Sequence, residues 1–389
     1  MIMKNQIENK SSILNWWGLV GYFKYFSIIS DSIIGNLFFY LSLTKHKQMA
    51  TQILVTGGAG YIGSHTVVEL QQAGYEVIVV DDLSNSRIEV LDNIKEISGK
   101  KPVLEQFDLS DAVKTDAFFQ KYTGIKAIIH FAAFKAVGES VHKPLEYYRN
   151  NLNSLMNLLD GMRKYGIPNM VFSSSCTVYG QPDVLPVTEQ TPRKPAESPY
   201  GNTKTICEDI MRDFCKVNPT INCIALRYFN PIGAHPSALI GELPVGVPNN
   251  LVPFITQTAA GLRQELSIFG EDYDTSDGTA VRDYINVVDL SKAHVIAIER
   301  LTKSKAKANY EFFNIGTGNG LSVMELVKTF IKVTGVDVKY KVVGRRAGDI
   351  EKIWADTSIS CHELGWQAEK TVEETLLSAW NWEKKVRGI

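Results

Sequence analysis

The chain lacks several features, and each absence argues against a class of protein. Its 41 Lys and Arg residues balance 42 Asp and Glu residues, so it has no basic excess of the kind that nucleic-acid-binding proteins carry. Only 5 of its 389 residues are cysteine, an odd number with no C-x-x-C pair. This argues against both a disulfide framework and a structural zinc site. We therefore expect no bound metal, and idle thiols in a reducing compartment.

The sequence also has no fixed-period repeat and no low-complexity tract. Since 44% of its residues are apolar and its 29 glycines follow no period, it is neither disordered nor collagen-like. A chain of this length predicts about two to three domains, because domains commonly span ~100–200 residues.

The segment 1–48 differs in composition from the rest, being rich in Ile, Phe, Tyr and Trp. Its two apolar stretches, residues 13–23 and 32–43, are separated by Lys24 and Asp31. Neither reaches the ~18 uncharged residues that a membrane-spanning helix needs. No A-x-A-like site follows them, which disfavours a signal peptide. We expect a leader outside the fold, with Met49 as an alternative start. A weak membrane-surface anchor and a partner-binding segment are the alternatives.

From Met49 onwards, short aliphatic runs alternate with helical stretches. The expected strands are residues 52–56, 76–80, 127–130, 170–173 and 223–227, and the expected helices include 61–73, 145–165 and 200–217. This alternation predicts an α/β fold, with a doubly wound parallel-sheet (Rossmann) domain over residues 49–230.

Proline and glycine cluster between Pro231 and Pro253, which predicts a long loop and a domain boundary. We expect residues 231–389 to form a smaller, mixed α/β substrate-binding domain, with some segments returning to the Rossmann domain. The cleft between the two parts is the expected ligand site.

A glycine-rich turn follows the first strand, with Gly57, Gly60 and Gly63 in G-x-x-G-x-x-G spacing. Such glycines permit a tight turn, close approach of the backbone to a pyrophosphate, and close packing of helix on strand. The N-terminus of the following helix favours the phosphates. Asp81 ends the second strand, where its carboxylate can accept from both ribose hydroxyls and repel a 2′-phosphate. The pattern predicts NAD rather than NADP.

A second constellation combines Tyr200, Lys204 and the serines that end the fourth expected strand. Tyr200 and Lys204 are four residues apart and share one helical face, so we expect the lysine cation to lower the pKa of the phenol. The nicotinamide charge would lower this pKa further, and a tyrosinate near neutral pH could then abstract a hydroxyl proton. We assign Ser175 to hydrogen-bond the reacting oxygen, and expect Ser173 and Ser174 to bond to the backbone or to NAD.

These features resemble the extended short-chain dehydrogenase/reductase superfamily, and longer motifs resemble its UDP-galactose 4-epimerase family. The motifs are residues 136–140 (AVGES), 143–148 (KPLEYY), 227–236 (RYFNPIGAHP), 248–251 (PNNL), 281–285 (VRDYI) and 345–349 (RRAGD). The resemblance covers essentially all of residues 50–389 and leaves the leader outside.

The resemblance implies a role for each matched residue. The cofactor would be bound by Gly57, Gly60, Tyr61, Ile62, Gly63, Asp81, Asp82, Leu83, Asn85, Ser86, Asp108, Leu109, Phe131, Ala132, Ala133, Lys135, Asn150, Ser173, Tyr200, Lys204 and Phe229. The nucleotide sugar would be bound by Ser175, Tyr200, Asn230, Asn250, Leu251, Phe269, Arg282, Arg346, Asp349 and Ile353. Arg282 and Arg346 suit a diphosphate, because guanidinium groups match phosphate oxygens.

By the same resemblance, the substrates would be UDP-glucose and UDP-galactose. Tyr200 would take the C4 hydroxyl proton while hydride moves to tightly bound NAD, and the 4-keto sugar would turn over before hydride returns to its other face. The resemblance further implies a cytoplasmic enzyme and a homodimer formed through helices 145–165 and 200–217.

Other activities use the same fold. Sugar-nucleotide 4,6-dehydratases carry an Asp-Glu pair where this chain has Cys176 and Thr177, so it lacks the acid that dehydration needs. A nucleotide-sugar decarboxylase stays open as a weaker alternative. A non-catalytic NAD-sensing protein would usually lose Tyr200 or Lys204, and both are present.

One position departs from the family pattern. A bulky aromatic residue before Trp354 confines the family's pocket to plain hexoses, and a small residue admits N-acetylated sugars. This chain has Ile353, which is intermediate and branched. We expect UDP-glucose and UDP-galactose to be preferred, with N-acetylated sugars slow.

Overall fold

The computed structural model describes residues 51–346 and 349–389 of the chain. The hypotheses about the segment 1–48 lie outside the described residues. Within the described part, Thr51–Ile389 forms one compact unit. No helix among the described residues is long and apolar enough to cross a membrane.

A parallel sheet runs through the middle of this unit, and within the described residues it has seven strands. The strands are β1 (Gln52–Thr56), β2 (Glu76–Asp81), β3 (Val103–Gln106), β4 (Ile125–His130), β5 (Asn169–Ser175), β6 (Asn222–Tyr228) and β11 (Tyr310–Ile315). Their order is β11-β6-β5-β4-β1-β2-β3, with every neighbouring pair parallel. The predicted parallel sheet is confirmed, and its last strand comes from the C-terminal half of the chain.

Helices cover both faces of the sheet, as its strands, buried on both sides, require. They are α1 (Tyr61–Gln72), α2 (Val90–Ser98), α3 (Ala112–Lys121), α4 (Val137–His142), α5 (Pro144–Tyr165), α6 (Pro199–Val217) and α8 (Val287–Thr302). One apolar core lies under α1, α2 and α8, and a second lies under α3, α5 and α6. The doubly wound architecture is therefore confirmed.

The remaining strands and helices lie around two smaller apolar cores. They are β7 (Asn230–Ile232), α7 (Leu251–Ala259), β8 (Leu266–Phe269), β9 (Val281–Arg282), β10 (Tyr284–Asn286), β12 (Leu321–Ser322), α9 (Val323–Thr334), β13 (Tyr340–Val343), β14 (Lys352–Ile353) and α10 (Val372–Arg387). They form small sheets, β10-β7, β13-β8 and β12-β9-β14. Between β7 and α7 the chain forms no helix, as its proline and glycine content predicted.

Strand β5 extends two residues beyond its predicted end. Ser174 and Ser175 stay in the ladder because they pair with Arg227 and Tyr228 of β6. All three strand-end serines therefore lie at the carboxyl edge of the sheet, where doubly wound folds bind their ligands.

Candidate active site

The glycine turn after β1 brings two parts of the backbone unusually close together. Gly57 has φ +69°, and a Cβ placed on it would lie 2.8 Å from the Ala132 nitrogen. A Cβ on Gly63 would lie 2.1 Å from the Gly57 oxygen. Helix α1 follows with Gly60 as an N-cap that has no side chain, so no side-chain oxygen competes for its first N–H groups. This geometry suits a dinucleotide pyrophosphate.

Asp81 links the end of β2 to the glycine turn. Its Oδ2 accepts a hydrogen bond from the Ala59 N–H at 3.0 Å. Its Oδ1 accepts from the Leu83 N–H at 3.0 Å and from the Ser86 hydroxyl at 2.8 Å. Burial raises the pKa of this carboxyl, and the three donors oppose the rise. The carboxylate is thus held rigidly beside the turn, where the ribose of a dinucleotide would lie.

The other predicted cofactor residues cluster along the same edge of the sheet. Those placed after β2, β3 and β4 are Asp82, Leu83, Asn85, Ser86, Asp108, Leu109, Phe131, Ala132, Ala133 and Lys135. Ile62 packs against the first core, and Asn150 donates to the Asn151 side chain at 2.9 Å. The Tyr61 hydroxyl donates to the Gly233 oxygen at 2.7 Å and is therefore already engaged. The backbone N–H is thus the Tyr61 group that could donate to a phosphate.

Lys204 is buried and faces the end of β5. Its ammonium donates to the Ser173 carbonyl oxygen at 2.6 Å and lies 4.8 Å from the centroid of the Phe172 ring. The distance from Nζ to the centroid of the Tyr200 ring is 5.9 Å. Burial lowers the pKa of Lys204 to about 8.

The residues of the chain alone raise the pKa of Tyr200 instead of lowering it, and the predicted tyrosinate of the NAD-bound enzyme stays a prediction. Desolvation raises the pKa of Tyr200, and the neighbouring Tyr228 and Cys176 groups add to the rise. A hydrogen bond with the Ser175 side chain acts in the opposite direction. The spacing of Tyr200 and Lys204 in the sequence indicates a shared face, but it does not reveal how strongly burial opposes ionisation of the phenol.

The three serines at the end of β5 have three different partners. The Ser175 hydroxyl accepts from the Thr177 N–H at 3.2 Å, and it opposes the rise in the pKa of Tyr200. The Ser173 hydroxyl contacts the Tyr228 hydroxyl. The Ser174 hydroxyl donates to Glu208 Oε1 at 2.5 Å. The hydroxyls of Ser173 and Ser174 thus contact side chains and not the backbone as predicted, and their predicted bonds to NAD stay a prediction.

Sequence reasoning missed the buried ion pair that receives this bond. The Arg227 guanidinium donates to both carboxylate oxygens of Glu208, at 2.9 and 2.6 Å. Both side chains are almost fully buried. Glu208 lies one helical turn after Lys204, and that spacing could have identified it.

The two predicted diphosphate arginines meet at one carboxylate. Arg346 Nη2 donates to Asp349 Oδ1 at 2.6 Å, and Arg282 Nη2 lies 3.9 Å from the same oxygen. Arg282 Nη1 is also held by the Val281 oxygen at 2.9 Å. The Arg346 side chain is half exposed and lies 5.7 Å from the centroid of the Phe269 ring. The structure thus gathers four of the predicted substrate residues.

The remaining predicted substrate residues lie on either side of this group. Ile353 pairs with Arg282 in the sheet and packs in a small core with Cys176, Tyr179 and Phe229. Asn230 begins β7. Asn250 caps α7, and Leu251 begins it. The Asn250 side chain donates at 2.6 Å to Glu242, a residue that sequence reasoning also missed.

Comparison with known proteins agrees with this arrangement. The family model described as GDP-mannose 4,6 dehydratase matches residues 54–378. The UDP-glucose 4-epimerase of Bacillus subtilis (strain 168) is 51% identical over 331 residues, which cover 85% of this chain and 96% of that protein. The UDP-glucose 4-epimerase of Homo sapiens is 47% identical over 343 residues, which cover 87% of this chain and 97% of that one.

Solved structures are similar over the same region. The crystal structure of UDP-glucose 4-epimerase from Bifidobacterium longum in complex with NAD+ and UDP has a TM-score of 0.83 at 45% identity, covering 86% of this chain and 98% of that one. The UDP-glucose 4-epimerase from Stenotrophomonas maltophila, with bound NAD and formylated UDP-arabinopyranose, also has a TM-score of 0.83 at 45% identity, covering 87% of this chain and 99% of that one.

Proposed function

Because this chain belongs to the UDP-glucose 4-epimerase family, an NAD-dependent family of extended short-chain dehydrogenase/reductases, we propose that Tyr200, Lys204 and Ser175 carry out that family's reaction. The reaction is the reversible C4 epimerisation of UDP-glucose and UDP-galactose. The observation that carries the assignment is the bond from Lys204 to the Ser173 carbonyl oxygen at the end of β5, with the ring centroid of Tyr200 5.9 Å from the ammonium. Only β4 separates that strand from β1 and its glycine turn.

The residues present fit NAD. Gly57 and Gly63 lie where a Cβ would collide with backbone, and Asp81 is fixed beside them. The fixed carboxylate suits a ribose with free hydroxyls and would repel a 2′-phosphate. Bound NAD supplies the acceptor and donor of hydride, and its oxidised ring carries positive charge that favours a phenolate.

In this proposal, Tyr200 transfers the proton at C4. Its oxygen accepts the proton of the C4 hydroxyl during oxidation and returns it when the keto sugar is reduced. Ser175 orients the reacting oxygen from the end of β5. Lys204 is tied to the Ser173 carbonyl oxygen, so its positive charge is held near Tyr200 without a direct hydrogen bond to the phenol.

Substrate binding is uneven in the way that epimerisation requires. Arg282 and Arg346 share Asp349, and both guanidinium groups can bind a diphosphate firmly. Ile353 and Phe229 belong to a buried apolar cluster, which would offer the hexose few polar anchors from that side. A firmly held diphosphate and a loosely held sugar allow the keto sugar to present both faces of C4.

Dehydration is the less suitable reaction, although the matching family model is described as a dehydratase. The residue after Ser175 is Cys176, and burial raises the pKa of its thiol to about 12. A thiol that holds its proton so firmly is a poor acid for expelling water, and Thr177 beside it has no acidic group.

We further propose a homodimer formed through α5 and α6. These helices pack side by side, and Leu145 and Met156 of α5 are exposed. Leu152, Ile210 and Phe214 are only partly buried. Sedimentation velocity would measure the mass in solution, and a monomer at micromolar concentration would contradict this. We also propose a cytoplasmic location, since all five cysteines, which lie in the described part of the chain, are free thiols.

Turnover by the purified protein tests the main proposal. Incubation with UDP-galactose, without added cofactor, is expected to yield UDP-glucose, identified by proton NMR. A 4-keto-6-deoxy sugar would identify a dehydratase. In a parallel incubation with a UDP-hexuronate, whose C6 carboxylate can leave as CO2, a pentose product would identify a decarboxylase. NAD binding without turnover of either UDP-hexose would identify a sensor.

A further inference from the structure

Glu242 connects two residues that the proposed function assigns to different ligands. Its Oε1 accepts a hydrogen bond from the Asn250 side chain at 2.6 Å and lies 3.4 Å from Lys135 Nζ. Lys135 is assigned to the cofactor and Asn250 to the nucleotide sugar. The Glu242 side chain is only 11% exposed, whereas the Lys135 side chain is 48% exposed, so water screens this ion pair in part.

The segment that carries Glu242 is anchored on the cofactor side of the molecule. We call residues 233–242 the strap. The Tyr61 hydroxyl of α1 donates to the Gly233 oxygen at 2.7 Å, and Asn93 of α2 donates to the Leu239 oxygen at 2.9 Å. Ile240 is buried in the core beneath these helices. The strap therefore holds its last residue in a position set by the glycine-turn helix.

The other side of Glu242 faces the smaller part of the fold. Its backbone oxygen accepts from Trp382 Nε1 of α10 at 3.0 Å. Asn250 occupies the N-cap position of α7 without a side-chain capping bond, so its bond to Glu242 connects the strap to the start of that helix. One carboxylate thus holds a lysine from the β4 loop and an amide from the α7 cap.

We propose that Glu242 is a positioning residue that couples retention of NAD to binding of the UDP-sugar, by holding Lys135 and Asn250 through one shared oxygen. This inference rests on the proposed function, because it needs those two residues to contact the two ligands. Glu242 itself touches neither ligand in this proposal. The coupling answers a requirement of the reaction, in which the cofactor stays bound while successive sugars enter and leave.

The two contacts differ in kind, so they can be separated by substitution. Glu242→Gln keeps an oxygen that can accept from Asn250 but removes the charge that attracts Lys135. Glu311→Gln is a matched control, because Glu311 is also 11% exposed and pairs with Arg300 at 2.8 Å. Glu311 lies near the amino-terminal end of β11, whereas the site lies at the carboxyl ends of the strands.

The experiment measures NAD release from the holoenzyme after rapid desalting, and UDP affinity by calorimetry. We expect Glu242→Gln to release NAD up to about 5-fold faster, the scale of an ion pair with a half-exposed lysine. The loss of UDP affinity is expected to be smaller, because Gln still accepts a hydrogen bond from Asn250. Glu311→Gln is expected to lower Tm without changing either measurement. Equal NAD release and equal UDP affinity in the two variants would overturn the proposal.

A double-mutant cycle gives a readout that a merely structural role would not move. In the unmodified protein, the effects of Lys135→Met and Asn250→Ala on UDP affinity are expected to be non-additive. In the Glu242→Gln variant, the effects of the same two substitutions are expected to be additive. Additive effects in both backgrounds would overturn the coupling. If Glu242→Gln does not fold, Asn250→Ala tests the coupling alone, because Asn250 shares the Glu242 oxygen with Lys135. This variant must release NAD faster, and an unchanged rate of release would overturn the proposal.

Failure of the proposed function has a different signature. In that case the unmodified protein would hold NAD but bind no UDP and convert no UDP-hexose. The release of NAD from Glu242→Gln would still decide whether Glu242 acts on the cofactor through Lys135.

Discussion

Lys204 donates a 2.6 Å hydrogen bond to the Ser173 carbonyl oxygen, at the end of the strand that also carries Ser175. This bond fixes helix α6 against β5 and leaves the ammonium 5.9 Å from the ring centroid of Tyr200. The proton affinity of Tyr200 is governed first by its burial, which raises the pKa of the phenol. Ligands that bring positive charge beside the phenol therefore have a large effect on its ionisation.

Removing the phenol hydroxyl tests the role of Tyr200. We expect Tyr200→Phe to lower kcat by about 10²–10⁴-fold, the usual contribution of a positioned acid–base group. UDP affinity is expected to persist, because Arg282 and Arg346 are unchanged. Steady-state kinetics and calorimetry measure the two quantities. A folded variant with the natural kcat would exclude Tyr200 as the base.

The burial of Lys204 predicts a specific pH dependence of stability. Its pKa falls from 10.5 to about 8 on folding, so between these pH values the unfolded chain binds more protons. The free energy of unfolding should therefore rise with pH across this window. We expect Lys204→Met to remove up to about 3 kcal/mol of that rise. Denaturant unfolding at pH 7.5 and 10.5 measures the free energy of unfolding of both proteins. If it changes equally with pH in both, the lowered pKa of Lys204 is refuted.

Cofactor selectivity depends on Asp81. The purified protein is expected to contain NAD(H) and no NADP(H), since this fixed carboxylate would repel a 2′-phosphate. Asp81→Asn removes the charge and should reduce the preference for NAD over NADP. The amide oxygen of Asn can still accept the bond from the Ala59 N–H or that from the Leu83 N–H. Chromatography of the released nucleotide is the measurement. A protein that purifies empty and works better with NADP would contradict the assignment.

The range of sugars depends on Ile353. An N-acetyl group pressed against this apolar wall would leave its amide unpaired, at about 1–3 kcal/mol. This corresponds to roughly 5–150-fold in rate against UDP-N-acetylglucosamine. Ile353→Ser should reduce the ratio of kcat/KM between plain and acetylated sugars by enlarging the pocket, and Ile353→Val is the control that keeps a branched wall. Equal kcat/KM values in the unmodified protein would mean that the pocket widens elsewhere.

A protein that starts at Met49 tests the interpretation of the segment 1–48 as a leader. The proposed site residues all lie after Gln52, so we expect the shortened protein to fold and to keep the full kcat. Circular dichroism compares the folding of the shortened protein with that of the 389-residue chain, and steady-state kinetics compares their kcat values. Loss of folding would show that the leader packs on the body.

Much of the fold could be predicted because its signals are local. The strand at Gln52–Thr56 has the predicted bounds, and helix α5 begins one residue before its predicted start. Strand β5 was predicted too short, because a run of three serines has no strong strand preference of its own. Its last residues are held by pairing with β6, a neighbour that is distant in sequence.

The sequence by itself determined the glycine spacing, the acid after β2 and the shared helical face of Tyr200 and Lys204, since each depends only on residues near one another in the chain. Only the tertiary structure decided that Lys204 turns to Ser173, that Glu208 takes the Ser174 hydroxyl, and that Glu242 joins Lys135 to Asn250. These outcomes depend on partners brought together by the packing of helices and loops around the sheet. Burial then sets the pKa of each group, and burial is a property of the assembled core.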